Sequence, residues 1–279
     1  MKVVLFCGGY GMRMRDGVSA LPKPMAMVGP RPLIWHVMRY YAHFGHKDFV
    51  LCLGYGADHI KEFFLNYSET ASNDFILRDG NVEMLTSDMS DWTITFVHTG
   101  LDSPIGERLR RVRRYVENEE MFLANYADVL TDAHLPDIID RFAASDAGAS
   151  LLAVPPQSAF HVVQLGEESR VDQIIEVSTM PLWENGGYFV LRPEIFDYLP
   201  PNGDLVGDVC TELAKRGRLL AYPYRGFWQA ADTVKERAAL DAAYAAGNRP
   251  WMLWEHGRAD PPPKHPEPQQ LPALQLTER

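Results

Sequence analysis

Val3, Val4, Leu5, Phe6 and Cys7 form an unbroken apolar run that stops abruptly at Gly8, Gly9 and Gly11. A strand apolar on both sides has to be covered on both faces, the condition of an inner strand in a parallel sheet, and here it enters a glycine loop. The rest of the chain keeps the alternation this demands. After Pro32, the residues Leu33, Ile34, Val37, Met38, Tyr41 and Phe44 recur at helical spacing, with Gly45 placed to end the helix. Phe49 to Leu53 reads as a second buried strand, 57–64 as a helix, 93–97 as extended, 109–116 as a helix and 121–126 as extended. Residues 150–154 and 187–191 read as further strands, and 234–246 as a helix bounded by Gly247. Strand and helix in turn predict an α/β fold: a large, mixed but mostly parallel central sheet flanked by helices. The polar stretch 66–91 reads as a long excursion from it.

Composition sets the outer limits. The 279 residues fit one large domain, and 46% hydrophobic residues can fill its core. Lys and Arg number 27 against 37 Asp and Glu, a net charge of 27 − 37 = −10, which disfavours a nucleic-acid partner while leaving small anions open through local basic groups. No apolar run is long enough for a membrane span or a signal peptide, so a cytoplasmic protein without a membrane partner is expected. Cys7, Cys52 and Cys210 are widely spaced and read as reduced, buried thiols. From residue 259 onward the character changes, with prolines at 261, 262, 263, 266, 268 and 272. The expected division is a folded domain over 1–258 and a proline-rich tail without fixed structure over 259–279.

Backbone N–H groups unshielded by side chains at Gly8, Gly9 and Gly11, with Arg13 beside them, suit a phosphate; the competing reading is a tight turn with a surface arginine. The dinucleotide fingerprint needs a further glycine where Met14 and Arg15 stand, and a Walker loop needs Lys-Ser or Lys-Thr at once. The next lysine is Lys23, held between Pro22 and Pro24, which fix the backbone on both sides and aim its ammonium. Together these features imply a polyphosphate.

The stretch from Val3 to Met25 resembles the signature of the sugar-1-phosphate nucleotidyltransferases, Gly-Gly-x-Gly-Thr-Arg followed by Lys-Pro-Met. Pro32 to His36, 48–55, 92–100, 108–112, 185–191 and 226–233 look like the glucose-1-phosphate cytidylyltransferase branch. The resemblance covers about the first 255 residues. It implies a Rossmann-like nucleotidyltransferase fold and a reaction in which a nucleoside monophosphate, CMP from CTP, passes to a sugar 1-phosphate such as glucose 1-phosphate with release of pyrophosphate. It also implies that Gly8, Gly9, Gly11, Arg13 and Lys23 hold the triphosphate, with Arg13 and Lys23 catalytic. By the same resemblance Thr99 and Gly100 lie at the base, with Arg108 near the nucleotide. Magnesium is the implied cofactor, on Asp128 and Asp232, and Asn185 and Gly186 fall on the acceptor side. Asp232 has a competing reading, since Thr233 and Glu236 have capping-box spacing. Arg110, Arg111, Arg113 and Arg114 read as a solvated helix face. The family's frequent oligomers leave a homo-oligomer open, although no motif here reports an interface.

Three departures qualify the resemblance. Met12 replaces the threonine before the arginine. Val177 stands where the family has a lysine that grips the sugar phosphate, and Ser158 to His161 replace Gly-Arg-Phe-Gly near the sugar. The nucleotide half is close to the family pattern and the acceptor half is rebuilt, with His161 or a nearby arginine the candidate substitute for the lysine. Two alternatives follow: a nucleotidyltransferase for a different phosphorylated acceptor, or a catalytically impaired nucleotide- or sugar-binding regulatory homologue.

Overall fold

The computed structural model describes residues 1–9, 21–157 and 160–255. Strands β1 (Lys2–Phe6), β2 (Asp48–Leu53), β3 (Thr93–His98), β4 (Phe122–Asn125), β5 (Ala149–Val154), β6 (Glu184–Leu191) and β7 (Leu219–Pro223) form one sheet in the order β7-β5-β6-β4-β1-β2-β3. Only β6 runs against its neighbours, β5 and β4; the remaining pairs are parallel. The apolar run at the N-terminus lies inside this sheet, between β4 and β2, as its two-sided hydrophobicity requires.

Alternation along β1 divides the core between the two faces. Val3 and Leu5 point into a cluster with Leu33, Val37 and Tyr41 of helix α1 (Leu33–His43), whereas Val4 and Phe6 meet Leu109, Val112 and Val116 of a second helix on the other face. That second helix begins earlier than its apolar spacing suggests, at Ile105 directly after Pro104, which places Glu107 and Arg108 inside its buried first turns. Arg110, Arg111, Arg113 and Arg114 are solvent-exposed, as expected of the polar face. Strand β6 likewise begins three residues early, and its glycines have a steric cause: Gly187 has φ +76°, and a Cβ there would stand 2.7 Å from the Tyr126 ring. The terminal helix spans Val234–Ala245. The three cysteines are free and buried.

Among the described residues, two hairpins with strands of four residues or more leave the sheet. The excursion over 66–91 carries a short helix, Glu69–Ser72, and a hairpin of Phe75–Arg78 with Asn81–Met84. The other hairpin, His161–Leu165 with Val171–Glu176, is exposed along its whole first strand. No helix among the described residues is long and apolar enough to cross a membrane.

Because six strands run one way, their carboxyl ends share one edge, and β6, running the other way, begins there. Gly8, Gly54, Thr99, Asp128, Asn185 and the segment after Pro223 are therefore gathered along a single rim, where ligands bind in open parallel sheets.

Candidate active site

A cleft of about 610 Å³ opens on that rim, lined among others by Gly8, Gly9, Lys23, Arg108, Tyr126 and Asp128. Its first wall is built around Arg108, whose residue is only 3% exposed. One terminal nitrogen of the guanidinium donates to Thr99 Oγ1 (3.1 Å) and Gly100 O (2.9 Å), and the other to Gly8 O (3.0 Å) and Leu101 O (2.9 Å). Two loops, the one following β1 and the one between β3 and the helix that starts at Ile105, are thus tied to one side chain. The approach is close enough to dictate glycine: a Cβ on Gly8 would sit 1.9 Å from an Arg108 nitrogen, and one on Gly54 would meet Gly8 O at 2.7 Å. Gly54, which follows β2 directly, was legible only as the end of an apolar run.

Thr99 is fully buried beneath this wall, its hydroxyl donating to Leu53 O (2.9 Å) while accepting from Arg108. The resemblance places Thr99 near the base, and its hydroxyl is engaged by backbone and guanidinium. Gly100 stands beside it with φ +89°, and its carbonyl is held by Arg108. The terminal nitrogens of Arg108 likewise bond protein oxygens, so the side chain shapes the nucleotide wall rather than standing free for a ligand. Gly11 and Arg13 lie outside the described residues.

The centre of the site is Lys23. It opens a short 3-10 turn after Pro22, and its ammonium lies 2.5 Å from Asp128 Oδ2 and in direct contact with Asp232 Oδ1. Burial opposes the ammonium charge, but Asp128 and then Asp232 outweigh it and hold the lysine above its ordinary pKa. Burial pushes the Asp128 carboxyl up, Lys23 pulls it back and Asp232 raises it again. The segment after Lys23 is anchored from behind: His36 Nε2 pairs with Val28 O at 3.0 Å, and Trp251 Nε1 donates to His36 Nδ1 at 3.3 Å.

Each aspartate is delivered by a local device. Asn125 Oδ1, at the end of β4, accepts from Ala127 N (2.7 Å) and turns the chain through a left-handed Ala127, φ +64°, immediately before Asp128. A non-glycine residue in that region is costly and marks a backbone held for a purpose. On the other side, Trp228–Ala230 pairs with Val129–Thr131, and Ala231 N donates to Asp128 O (2.9 Å), which sets Asp232 beside Asp128. The capping box of Thr233 and Glu236 is also present, with Glu236 accepting from the backbone N–H of Asp232 at 2.8 Å. The two readings of Asp232 coexist: its backbone belongs to the cap and its side chain to Lys23.

Two carboxylates already converging on one cation form a donor set that fits magnesium, which takes hard oxygen ligands and commonly one or two carboxylates beside substrate phosphates. Among the described residues no cluster of three potential ligands completes a cage without substrate.

Beyond Tyr126 the rim continues past the residues that line the cleft. Asn185 Nδ2 donates to the Tyr126 hydroxyl (2.8 Å) and its Oδ1 accepts from Gly187 N (3.0 Å), while Gly186 O accepts from Trp228 Nε1 (2.8 Å). His161 does not line the cleft; it begins the exposed hairpin, paired in register with Glu176. Asn185 and Gly186, also expected on the acceptor side, likewise stand outside the residues that line the cleft. Val177 follows the same hairpin in a short turn, and Ser158 and Ala159 lie outside the described residues.

The fold and the paired aspartates on its rim define a nucleotide-transferring enzyme. The chain belongs to the nucleotidyl transferase family, which matches residues 2–246. It is 35% identical over 258 residues to the Bacillus subtilis protein named probable glucose-1-phosphate cytidylyltransferase, covering 91% of this chain and 100% of that protein. It is 34% identical over 261 residues to the glucose-1-phosphate cytidylyltransferase of Salmonella typhimurium, with 91% and 100% covered. Among solved structures, the fold resembles UDP-glucose pyrophosphorylase from Acinetobacter baumanii, with a TM-score of 0.65 at 18% identity over 92% of this chain and 97% of that one.

Proposed function

We propose that this nucleotidyltransferase is a cytoplasmic enzyme that transfers CMP from CTP to glucose 1-phosphate with magnesium. The observation that carries the reading is the meeting of Lys23, Asp128 and Asp232 beside the glycine wall of the cleft. An oxygen of the sugar phosphate attacks the α-phosphorus of CTP; the new P–O bond forms as the bond to the β-phosphate bridge breaks, and pyrophosphate leaves with that electron pair. Both reactants are anions, so the chemistry requires fixed positive charge and donors around the α-phosphate. Lys23 supplies an ammonium aimed by its flanking prolines, and the amides around Gly8 and Gly9 face the triphosphate. Asp128 and Asp232 would hold magnesium, which neutralises phosphate charge when bound. Cytidine as the base and glucose as the sugar rest on the relatives at about a third identity.

The test is pyrophosphate release with magnesium, pairing CTP, UTP, dTTP and ATP in turn with glucose 1-phosphate. Release that is fastest with CTP is the expected result. A different preferred nucleotide would overturn the cytidylyl assignment, and no release with any pair would overturn the reaction.

A further inference from the structure

We propose that Asp204 accepts a hydrogen bond from a hydroxyl of the acceptor sugar and so takes part in choosing which sugar phosphate is used. The inference rests on the nucleotidyltransferase reading above and assigns one residue of the same cleft to the acceptor.

Asp204 lines the cleft together with Lys23, Tyr126 and Asp128. Its half-buried carboxylate is fixed before any ligand arrives: Oδ1 accepts from Val206 N (2.9 Å) and Gly207 N (2.7 Å), and the N–H of Asp204 donates to Asp208 Oδ2 (2.7 Å). The chain leading into it is held as firmly. Asn202 N donates to Glu107 Oε2 (3.2 Å), and Gly203 O accepts from Glu107 N (3.1 Å), with Glu107 itself buried. This approach requires Gly106, where a Cβ would stand 2.5 Å from Gly203 O. Capping the turn uses only one carboxylate oxygen, and Oδ2 makes no hydrogen bond among the described residues.

Charge and the direction of the reaction give that oxygen its partner. A carboxylate oxygen in a cleft that takes two anions repels phosphate and suits a neutral donor. The reactants carry such donors on the acceptor sugar, the ribose and the base. In-line transfer puts the entering oxygen across the α-phosphorus from the leaving bridge. The leaving phosphates lie with Gly8 and Gly9 at the end of β1, so the acceptor enters from the far side of Asp128, which follows β4. Asp204 stands on that side. The turn it opens, Leu205–Cys210, packs against helix Ile105–Val116, itself packed on β1 and β2, and runs into helix Thr211–Lys215, which packs on β7. Strands β4, β6 and β5 fill the interval between. Tyr126, just beyond β4, feels the same charge: burial raises its hydroxyl above the ordinary pKa, and Asp204 adds to the rise. A sugar whose phosphate lies at Lys23 and Asp128 therefore turns its hydroxylated ring toward Asp204.

The experiment uses the full chain and compares wild type with Asp204→Ser and Asp204→Asn. Both replacements still cap the turn, while serine deletes the second oxygen and asparagine puts an amide in place of the carboxylate. Steady-state rates with CTP and glucose 1-phosphate should give a KM for glucose 1-phosphate raised about tenfold or more in Asp204→Ser, an intermediate value in Asp204→Asn, and a KM for CTP that rises no more than about twofold in either. Among the monodeoxy analogues of glucose 1-phosphate, wild type should lose about tenfold in kcat/KM on the one that lacks the bonded hydroxyl, and Asp204→Ser should no longer distinguish that analogue from glucose 1-phosphate. Undiminished discrimination in Asp204→Ser would overturn the proposal, as would equal increases in both KM values, the mark of a purely structural role. A rise confined to CTP would also overturn it, by placing the carboxylate on the nucleoside. Equilibrium dialysis of glucose 1-phosphate against the same proteins, saturated with a non-reacting CTP analogue, separates this inference from the one beneath it. Binding weakened by Asp204→Ser in a chain that releases no pyrophosphate would uphold Asp204 and sink the catalytic reading. Equal binding by wild type and variant, or none by wild type, would sink the assignment of Asp204.

Discussion

The two sides of the rim are built on opposite principles. On the glycine side, almost every polar group is already bonded to protein: Arg108 donates to four oxygens, Thr99 is fully buried, and Gly8 and Gly54 leave no room for a single added carbon. On the other side, Arg225 lies over the Trp183 indole with no carboxylate partner among the described residues, and the neighbouring hairpin is exposed along its first strand. A wall whose interactions are internal presents backbone in a fixed shape, which suits a phosphate chain common to all nucleoside triphosphates. A wall with an unengaged cation can be changed one residue at a time, which suits a site that decides which acceptor is used. Between them, Lys23 and the two aspartates belong to neither wall and join both.

Breaking that junction should have the largest effect. Lys23→Ala removes the cation that holds Asp128 and Asp232 together, and pyrophosphate release should fall on the order of a hundredfold to a thousandfold. The variant should also melt at a lower temperature than wild type, because two neighbouring carboxylates are left without their counter-charge, and added magnesium should restore part of the difference. Turnover within a few-fold of wild type would remove Lys23 from the chemistry; a melting temperature indifferent to magnesium would remove the metal from the aspartates.

Next in size is the glycine wall. Arg108→Met leaves Gly8 O, Gly100 O, Leu101 O and Thr99 Oγ1 without their donor, and chemical denaturation should show a loss of about 3 kcal/mol, since buried unsatisfied acceptors cost about 1–3 kcal/mol each and do not add in full. The KM for CTP should rise with it, because the loops that present the backbone are no longer joined. A raised KM with stability untouched would make Arg108 a direct ligand instead of a clamp.

The contrast between the walls also decided how much could be read from the chain. Periodicity reports burial, so the strand at Val3 to Cys7, helix α1 and the parallel sheet were legible, as were Lys23 between its prolines and the two aspartates that the family resemblance brought together. Hydrogen-bond partners distant in sequence leave no such trace. Thr99 was placed near the base by the family resemblance, and only the fold turns its hydroxyl toward Leu53. Ala127 carries no sign of its left-handed backbone, since the residue that usually announces one is glycine. His161 was offered as a substitute for the missing lysine, and in the fold it stands at the root of the exposed hairpin, paired with Glu176.

Thr99 offers the finest test of the difference. Valine nearly matches threonine in shape but cannot donate to Leu53 O or accept from Arg108, so Thr99→Val isolates two hydrogen bonds without emptying the core. Denaturation should show a loss of about 1 kcal/mol, the net worth of a typical hydrogen bond within a factor of two. The ratio of kcat/KM for CTP over UTP should stay within about twofold, because a hydroxyl facing Leu53 takes no part in distinguishing the two bases. A fall in that ratio at unchanged stability would mean that the hydroxyl turns to the base when nucleotide binds, and the glycine wall would then read the ligand as well as shape it.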